Sequence, residues 1–388
     1  MSRCLRLKLG SIVLRTAFVV GLAATTAPAQ INTDIIEKHR ADLQKQASEI
    51  ATKRERGTQP EDWLFNLADG VTARQITFYS DGAPCYGRIF FPKGFTTRGK
   101  WPAVVVGHGI NAQAVGIEKY AARFAERGLV AMAIDYRTYG YSAGDVLLLE
   151  PDSTTDARAV WEKDARIKIK RTNLNNFRET EDFRAAVSYI QTEPGVDPER
   201  IGVWGSSNGA SVVLMVAALD SRVKAVVAQV GAVGGLTASG PVAIPPQMMA
   251  DGIKRARTGQ GGEVDGGFSF RSKIDMWSNQ LNREFRPGAL LDRIPETTKI
   301  LWMPAEKDEL IPPRGANGPY AGAKAFKGTS QVIEMPYITH FQMYSFTAFE
   351  VGSNLAADWF LKYLGTSETL LKEKALTNRK WKIENRNR

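Results

Sequence analysis

One segment constrains this chain more than any other: Val203-Trp204-Gly205-Ser206-Ser207-Asn208-Gly209-Ala210. It has the form Gly-x-Ser-x-Gly, directly after the apolar run 201–204 and directly before the Ala/Val-rich stretch 210–219. A chain that passes from strand to helix through one residue bends so sharply that small residues must stand two places before and two after it. Gly205 and Gly209 meet that demand around Ser207, whereas centring the bend on Ser206 would put Trp204 at the tight position. Such a turn exposes a serine hydroxyl, so Ser207 is the candidate nucleophile and Gly205 and Gly209 its supporting glycines.

The surrounding pattern supplies the matching scaffold. Apolar runs at 103–106, 130–134, 201–204, 225–230, 300–303 and 331–334 read as strands. They alternate with helical stretches at 117–127, 178–191, 210–219 and 353–364, the rhythm of βαβ units and a mainly parallel sheet. Ahead of them, β-rich runs at 73–79 and 86–91 flank the turn signal Ser80-Asp81-Gly82-Ala83-Pro84 and predict an opening hairpin. Residues 35–56 space Ile36, Leu43 and Ile50 seven apart, which predicts an amphipathic helix packed on the surface. Two long connections interrupt the rhythm: 147–176, mostly polar and charged, and 231–298, with Pro241, Pro245, Pro246 and a glycine-rich stretch at 259–267. The second is long enough to form a lid over the sheet, or else a surface insertion with no gating role.

A serine hydroxyl needs a base within hydrogen-bond reach. The chain has three histidines, His39, His108 and His340. On a sheet of this kind with an elbow serine, the chain order is serine, acid, histidine, which leaves His340, just past the strand at 331–334. The acid belongs on the loop after the preceding strand, and Asp308 in Pro304-Ala305-Glu306-Lys307-Asp308-Glu309 is the choice, with Glu306 and Glu309 as competitors. Acyl transfer also requires donors aimed at the developing oxyanion. The main-chain amides of Asn208, directly after the nucleophile, and Ile110, after the turn Gly107-His108-Gly109, are the candidates, with His108 read as structural.

The amino terminus reads as a secretory leader. Arg3, Arg6, Lys8 and Arg15 precede a mainly apolar stretch at 16–24, Ala27-Pro28-Ala29 fits small-x-small cleavage, and no acidic residue occurs before Asp34. Residues 1–29 are therefore expected to be a signal peptide, the mature chain to be exported to periplasm or medium, and no transmembrane segment to remain in it. The net charge of +10 falls to +6 without the leader's four basic residues. Much of the remainder sits at 371–388, where seven Lys or Arg face two Glu, so the main body is near neutral and the tail reads as solvated; no nucleic-acid partner is expected. Cys4 lies in the leader, so Cys85 is the one mature cysteine and neither an intrachain disulfide nor a paired-thiolate metal site can form.

With these residues in place, the chain from about 73 to 364 resembles the α/β-hydrolase superfamily, and within it the dienelactone hydrolase-like and prolyl-oligopeptidase-like branch. His108-Gly109 resembles the oxyanion-loop motif, and Asp135-Tyr136-Arg137-Thr138-Tyr139-Gly140-Tyr141-Ser142-Ala143-Gly144 resembles an Asp-x-Arg-Gly-x-Gly-x-Ser loop, with Thr138 where a glycine is usual. Val196-Asp197-Pro198-Glu199-Arg200-Ile201 leads into the elbow as it does in such enzymes. Dienelactone hydrolases proper carry a cysteine where this chain has Ser207, which is more like the nucleophile of carboxylesterases, deacetylases and the peptidase branch. The resemblance implies an α/β-hydrolase fold at 67–365 with a lid or insertion at about 231–298, preceded by a helical extension at 30–66 and followed by a basic tail at 366–388. The expected activity is cleavage of a carboxylic ester, of small-molecule or oligomeric origin, through an acyl-serine intermediate, with no metal or organic cofactor. Peptide or amide cleavage uses the same machinery and would need a pocket for a peptide terminus, anchored through Arg137 or an arginine of the lid. A noncatalytic binding protein on the same scaffold is the third reading.

Overall fold

The computed structural model describes residues 30–53, 65–110, 112–150, 162–171, 174–236, 240–265 and 273–367. The leader at 1–29 and the tail from 368 onward lie outside the described residues. The chain divides into Met1–Gln30 and a second unit, Ile31–Arg388, which holds every element below.

Helices α1 (Asp34–Lys38) and α2 (Arg40–Lys53) come first. The single helix expected over 35–56 is thus broken at His39, whose φ of −104° and ψ of 11° leave the helical region. The pair is anchored rather than laid on the surface. Leu43 is fully buried, and Gln46 donates to the carbonyls of Gln342 and Ser345 while accepting from the amide of Ala348.

The hairpin β1 (Thr72–Ser80) and β2 (Ala83–Phe91) turns through Asp81 and Gly82 alone, both at positive φ (47° and 76°), the twist that suits a two-residue hairpin loop. The five-residue turn signal therefore tightens, and Pro84 enters the strand opposite Tyr79. Then follow β3 (Trp101–Gly107), α3 (Glu118–Glu126), β4 (Val130–Ile134), a small hairpin β5 (Asp145–Leu148) and β6 (Ile167–Lys170), α4 (Asn176–Ile190), β7 (Val196–Ser206), α5 (Asn208–Leu219) and β8 (Val223–Gln229). The insertion contains α6 (Pro246–Thr258), the pair β9 (Glu263–Asp265) and β10 (Lys273–Asp275), and α7 (Met276–Glu284). The chain closes with β11 (Lys299–Met303), α8 (Pro319–Ala325), β12 (Ser330–Val332) and α9 (Phe346–Leu364).

The main sheet has eight strands in the order β1-β2-β4-β3-β7-β8-β11-β12. Strand β2 pairs antiparallel with β1 and β4, and the six strands from β4 to β12 run parallel. Parallel strands buried on both faces read as unbroken apolar runs because alternate side chains feed two cores. Along β3, Val104 and Val106 join the core with α3 and α9, and Ala103 and Val105 the core with α4 and α5. This is the mainly parallel sheet with flanking helices that the sequence implies. From Phe285 onward the insertion belongs to the second core, where Phe285, Leu291 and Ile294 are buried. Val233, at the start of the insertion, is buried in the same core.

Cys85, the one cysteine among the described residues, is buried, and burial pushes its thiol up to about 12. Among the described residues no helix is long and apolar enough to cross a membrane.

Candidate active site

Three loops at the carboxyl ends of the parallel strands build the site, the edge where open α/β sheets bind ligands. Ser207 separates β7 from α5 with φ 56° and ψ −121°, a backbone conformation L residues rarely adopt. The glycines permit it sterically. A Cβ on Gly205 would lie 2.1 Å from the Gly209 carbonyl oxygen, and one on Gly209 would lie 2.5 Å from the His108 carbonyl oxygen. The bend is held by the Ser207 amide donating to the Gln229 carbonyl at 2.9 Å.

The loop after β11 carries Asp308, and the loop after β12 carries His340; both side chains are almost fully buried. His340 Nδ1 lies 2.9 and 3.1 Å from the two carboxylate oxygens of Asp308, and its Nε2 lies 3.1 Å from Ser207 Oγ. An ionised carboxylate only accepts, so Nδ1 carries the ring proton and Nε2 presents its lone pair to the serine hydroxyl. Asp308 Oδ1 also accepts from the amides of Leu310 and Ile311, which fixes the carboxylate. The two competing acids have other tasks. Glu309 accepts from the amide of His340 at 2.9 Å, and Glu306 from the amide of Tyr337 at 2.6 Å, so both hold the histidine loop without touching the imidazole.

The turn Gly107-His108-Gly109 lies against the elbow, with the Cβ position of Gly109 3.6 Å from Ser207 Oγ. His108 is fully buried beside the rings of Tyr136 and Tyr139, its Nδ1 bonds the Gly109 carbonyl at 2.8 Å, and burial pushes its pKa down. It is a neutral member of the turn that leads into Ile110. Asp135 ties the next loop to this one by accepting from the amides of Ala114 and Tyr141. Thr138 has φ 72°, so the glycine usual there has a conformational reason that this chain overrides. Arg137 is engaged by Asp182 and Ser80, which removes it as an anchor for a peptide terminus.

Several residues here escape sequence reasoning. Behind the elbow, Ser206 Oγ lies 2.7 Å from Tyr344 OH and accepts from Gln229 Nε2, which also reaches Tyr120 OH. The side chain of Asn208 meets Asn176 and Glu179 of α4, and Asn176 donates in turn to Asn282 of α7. Gln229 could be suspected as a polar residue closing an apolar strand; Glu179 and Asn282 sit in ordinary polar helical sequence and give no signal. Among the described residues no group of three or more His, Cys, Asp or Glu could hold a metal ion.

The profile of the dienelactone hydrolase family matches residues 87–280, half of the chain. The chain belongs to the dienelactone hydrolase family. Its parallel sheet and flanking helices are the α/β-hydrolase scaffold. Over 135 residues it is 33% identical to thiohydrolase apmlB of Arthrinium phaeospermum, covering 34% of this chain and 36% of that protein. Over 165 residues it is 27% identical to quorum-quenching protein AidA of Acinetobacter baumannii, covering 42% of this chain and 45% of that one. In both comparisons the match spans less than half the length of the relative. Among solved structures, Est1E of Butyrivibrio proteoclasticus with ferulic acid bound aligns over 75% of this chain and 100% of its own, at TM-score 0.52 and 17% identity, a likeness of fold.

Proposed function

We propose that this dienelactone hydrolase family member is an exported serine hydrolase that cleaves carboxylic esters through an acyl-serine intermediate. One observation carries the reading: Ser207 Oγ, the two ring nitrogens of His340 and the Asp308 carboxylate form a continuous hydrogen-bonded line. In acylation Ser207 Oγ bonds to the ester carbonyl carbon as its proton passes to His340 Nε2. The oxyanion meets the main-chain amides of Ile110 and Asn208. The tetrahedral adduct then expels the alcohol, which takes the proton from Nε2. Water repeats the sequence on the acyl-serine, releasing the acid and restoring the hydroxyl. Asp308 holds the imidazole tautomer and stabilises the transient imidazolium.

Thioester cleavage is the second reading, favoured by the 33% identity to a protein named as a thiohydrolase and served by the same acyl-serine chemistry. Purified protein and Ser207→Ala would be compared on aryl acetates, longer acyl esters, acyl thioesters and aminoacyl anilides. Ester turnover that falls at least about a thousandfold in Ser207→Ala supports the reading, and ester turnover retained in that variant overturns it.

A further inference from the structure

Asn208 supplies more than a main-chain amide beside the nucleophile, because its side chain is held from two directions. Its Nδ2 donates to Glu179 Oε2 at 2.8 Å and to Asn176 Oδ1 at 3.2 Å, while its Oδ1 accepts from Asn176 Nδ2 at 2.9 Å. Asn176 also donates at 2.9 Å to Oδ1 of Asn282, on α7 of the insertion. A side chain fixed at three polar contacts fixes the peptide it grows from, and the first peptide of α5 is the one proposed to meet the oxyanion.

Glu179 is 3% exposed, and its surroundings oppose a charge there. From its own helix it faces Asp182, which is paired with Arg137; the loop after β4 presents the phenols of Tyr136 and Tyr139; α5 presents Asn208; and the backbone of Asn175 hydrogen-bonds its carboxyl. Burial, and secondarily the charge of Asp182, raise its carboxyl to about 8 against the smaller pull of the Asn208 and Asn175 donors.

We infer that Glu179 is a positioning residue for the oxyanion formed in acylation and again in deacylation: neutral, it holds Asn208 and its amide in place, and its ionisation slows both steps. The sign follows from charge. A neutral carboxyl accepts from Asn208 Nδ2 without adding a charge near the oxyanion, whereas a carboxylate bonded to the Asn208 side chain opposes the negative charge that the Asn208 amide is there to meet. The inference rests on the reading of Ser207 as nucleophile.

The test measures kcat and KM for p-nitrophenyl acetate from pH 6 to 9.5 on the full chain, with active sites counted by a fluorophosphonate. In the wild type kcat is expected to fall about tenfold around a midpoint near 8 while KM stays flat, and Glu179→Gln, which keeps a carbonyl acceptor for Asn208, is expected to abolish the fall. Asn208→Ala keeps the main-chain amide but frees it; kcat should drop about tenfold with KM within about twofold. A purely structural Glu179 would alter stability and leave the pH profile alone. A flat wild-type profile, an undiminished fall in Glu179→Gln, or wild-type kcat in Asn208→Ala overturns the inference with Ser207 labelling intact. Should Glu179→Gln fail to fold, the wild-type profile and Asn208→Ala decide. Absence of labelling at Ser207 marks the failure of the underlying reading, and this inference falls with it.

Discussion

Replacing Gly209 by alanine tests how tightly the elbow is locked against the oxyanion turn. The new Cβ would stand 2.5 Å from the His108 carbonyl oxygen and 2.8 Å from that of Gly107, where ordinary contact begins at 3.4 Å. Both obstacles are main-chain atoms, so no side-chain rotation relieves them, and the turn must retreat by roughly 0.9 Å, the difference between those distances. That turn leads into Ile110. A displacement of about 1 Å in a reacting geometry lowers rate about a hundredfold, so Gly209→Ala should lose about that much in kcat for an aryl acetate. Overpacking adds a cost of about 1–3 kcal/mol, several degrees in a chain of this size. Gly94→Ala is the control: nothing lies within 4 Å of its Cβ position, and its positive φ of 76° strains an alanine far from the elbow, so stability should fall with kcat unchanged. Gly209→Ala within threefold of wild-type kcat, or Gly94→Ala losing as much activity, would refute the reasoning.

Two further outcomes follow from the same geometry. Asp308→Asn places an amide N–H against His340 Nδ1 and selects the wrong tautomer, so kcat should fall about 10⁴-fold, while Glu309→Gln, which only loosens the bond to the His340 amide, should cost about tenfold or less. Equal losses in steady-state assays would mean the acid is misassigned. At position 138, with φ 72°, glycine and alanine both remove the threonine side chain, so their difference reports backbone strain; Thr138→Gly should exceed Thr138→Ala by about 1 kcal/mol in urea denaturation, and the reverse order would refute the strain.

What could be read from sequence was what depends on short-range sterics. The need for glycine at 205 comes from a contact with Gly209 within the same bend, so the spacing between an apolar run and a helical stretch was enough to suggest it, whereas Gly209 also makes room for the carbonyls of Gly107 and His108, about 100 residues away. The turn through Asp81 and Gly82 was legible for the same reason, although its two-residue length depends on the twist of the flanking strands. The choice among Glu306, Asp308 and Glu309 depends on how one loop folds over another 30 residues away, and the competitors proved to be backbone acceptors for that second loop. Helix α9 begins at Phe346, earlier than its apolar periodicity suggests, and the Ala348 amide is met by Gln46 from about 300 residues upstream. The Glu179–Asn208–Asn176–Asn282 cluster joins α4, α5 and the insertion, and no local pattern marks it.

Ser207 carries the reacting oxygen in this mechanism, and the site of covalent capture reports that oxygen itself. Intact mass spectrometry after treatment with a fluorophosphonate, followed by peptide mapping, should find one adduct per chain, on Ser207, formed in step with loss of ester turnover. An adduct on Ser206 or elsewhere, or full modification of Ser207 with turnover unchanged, would contradict the account.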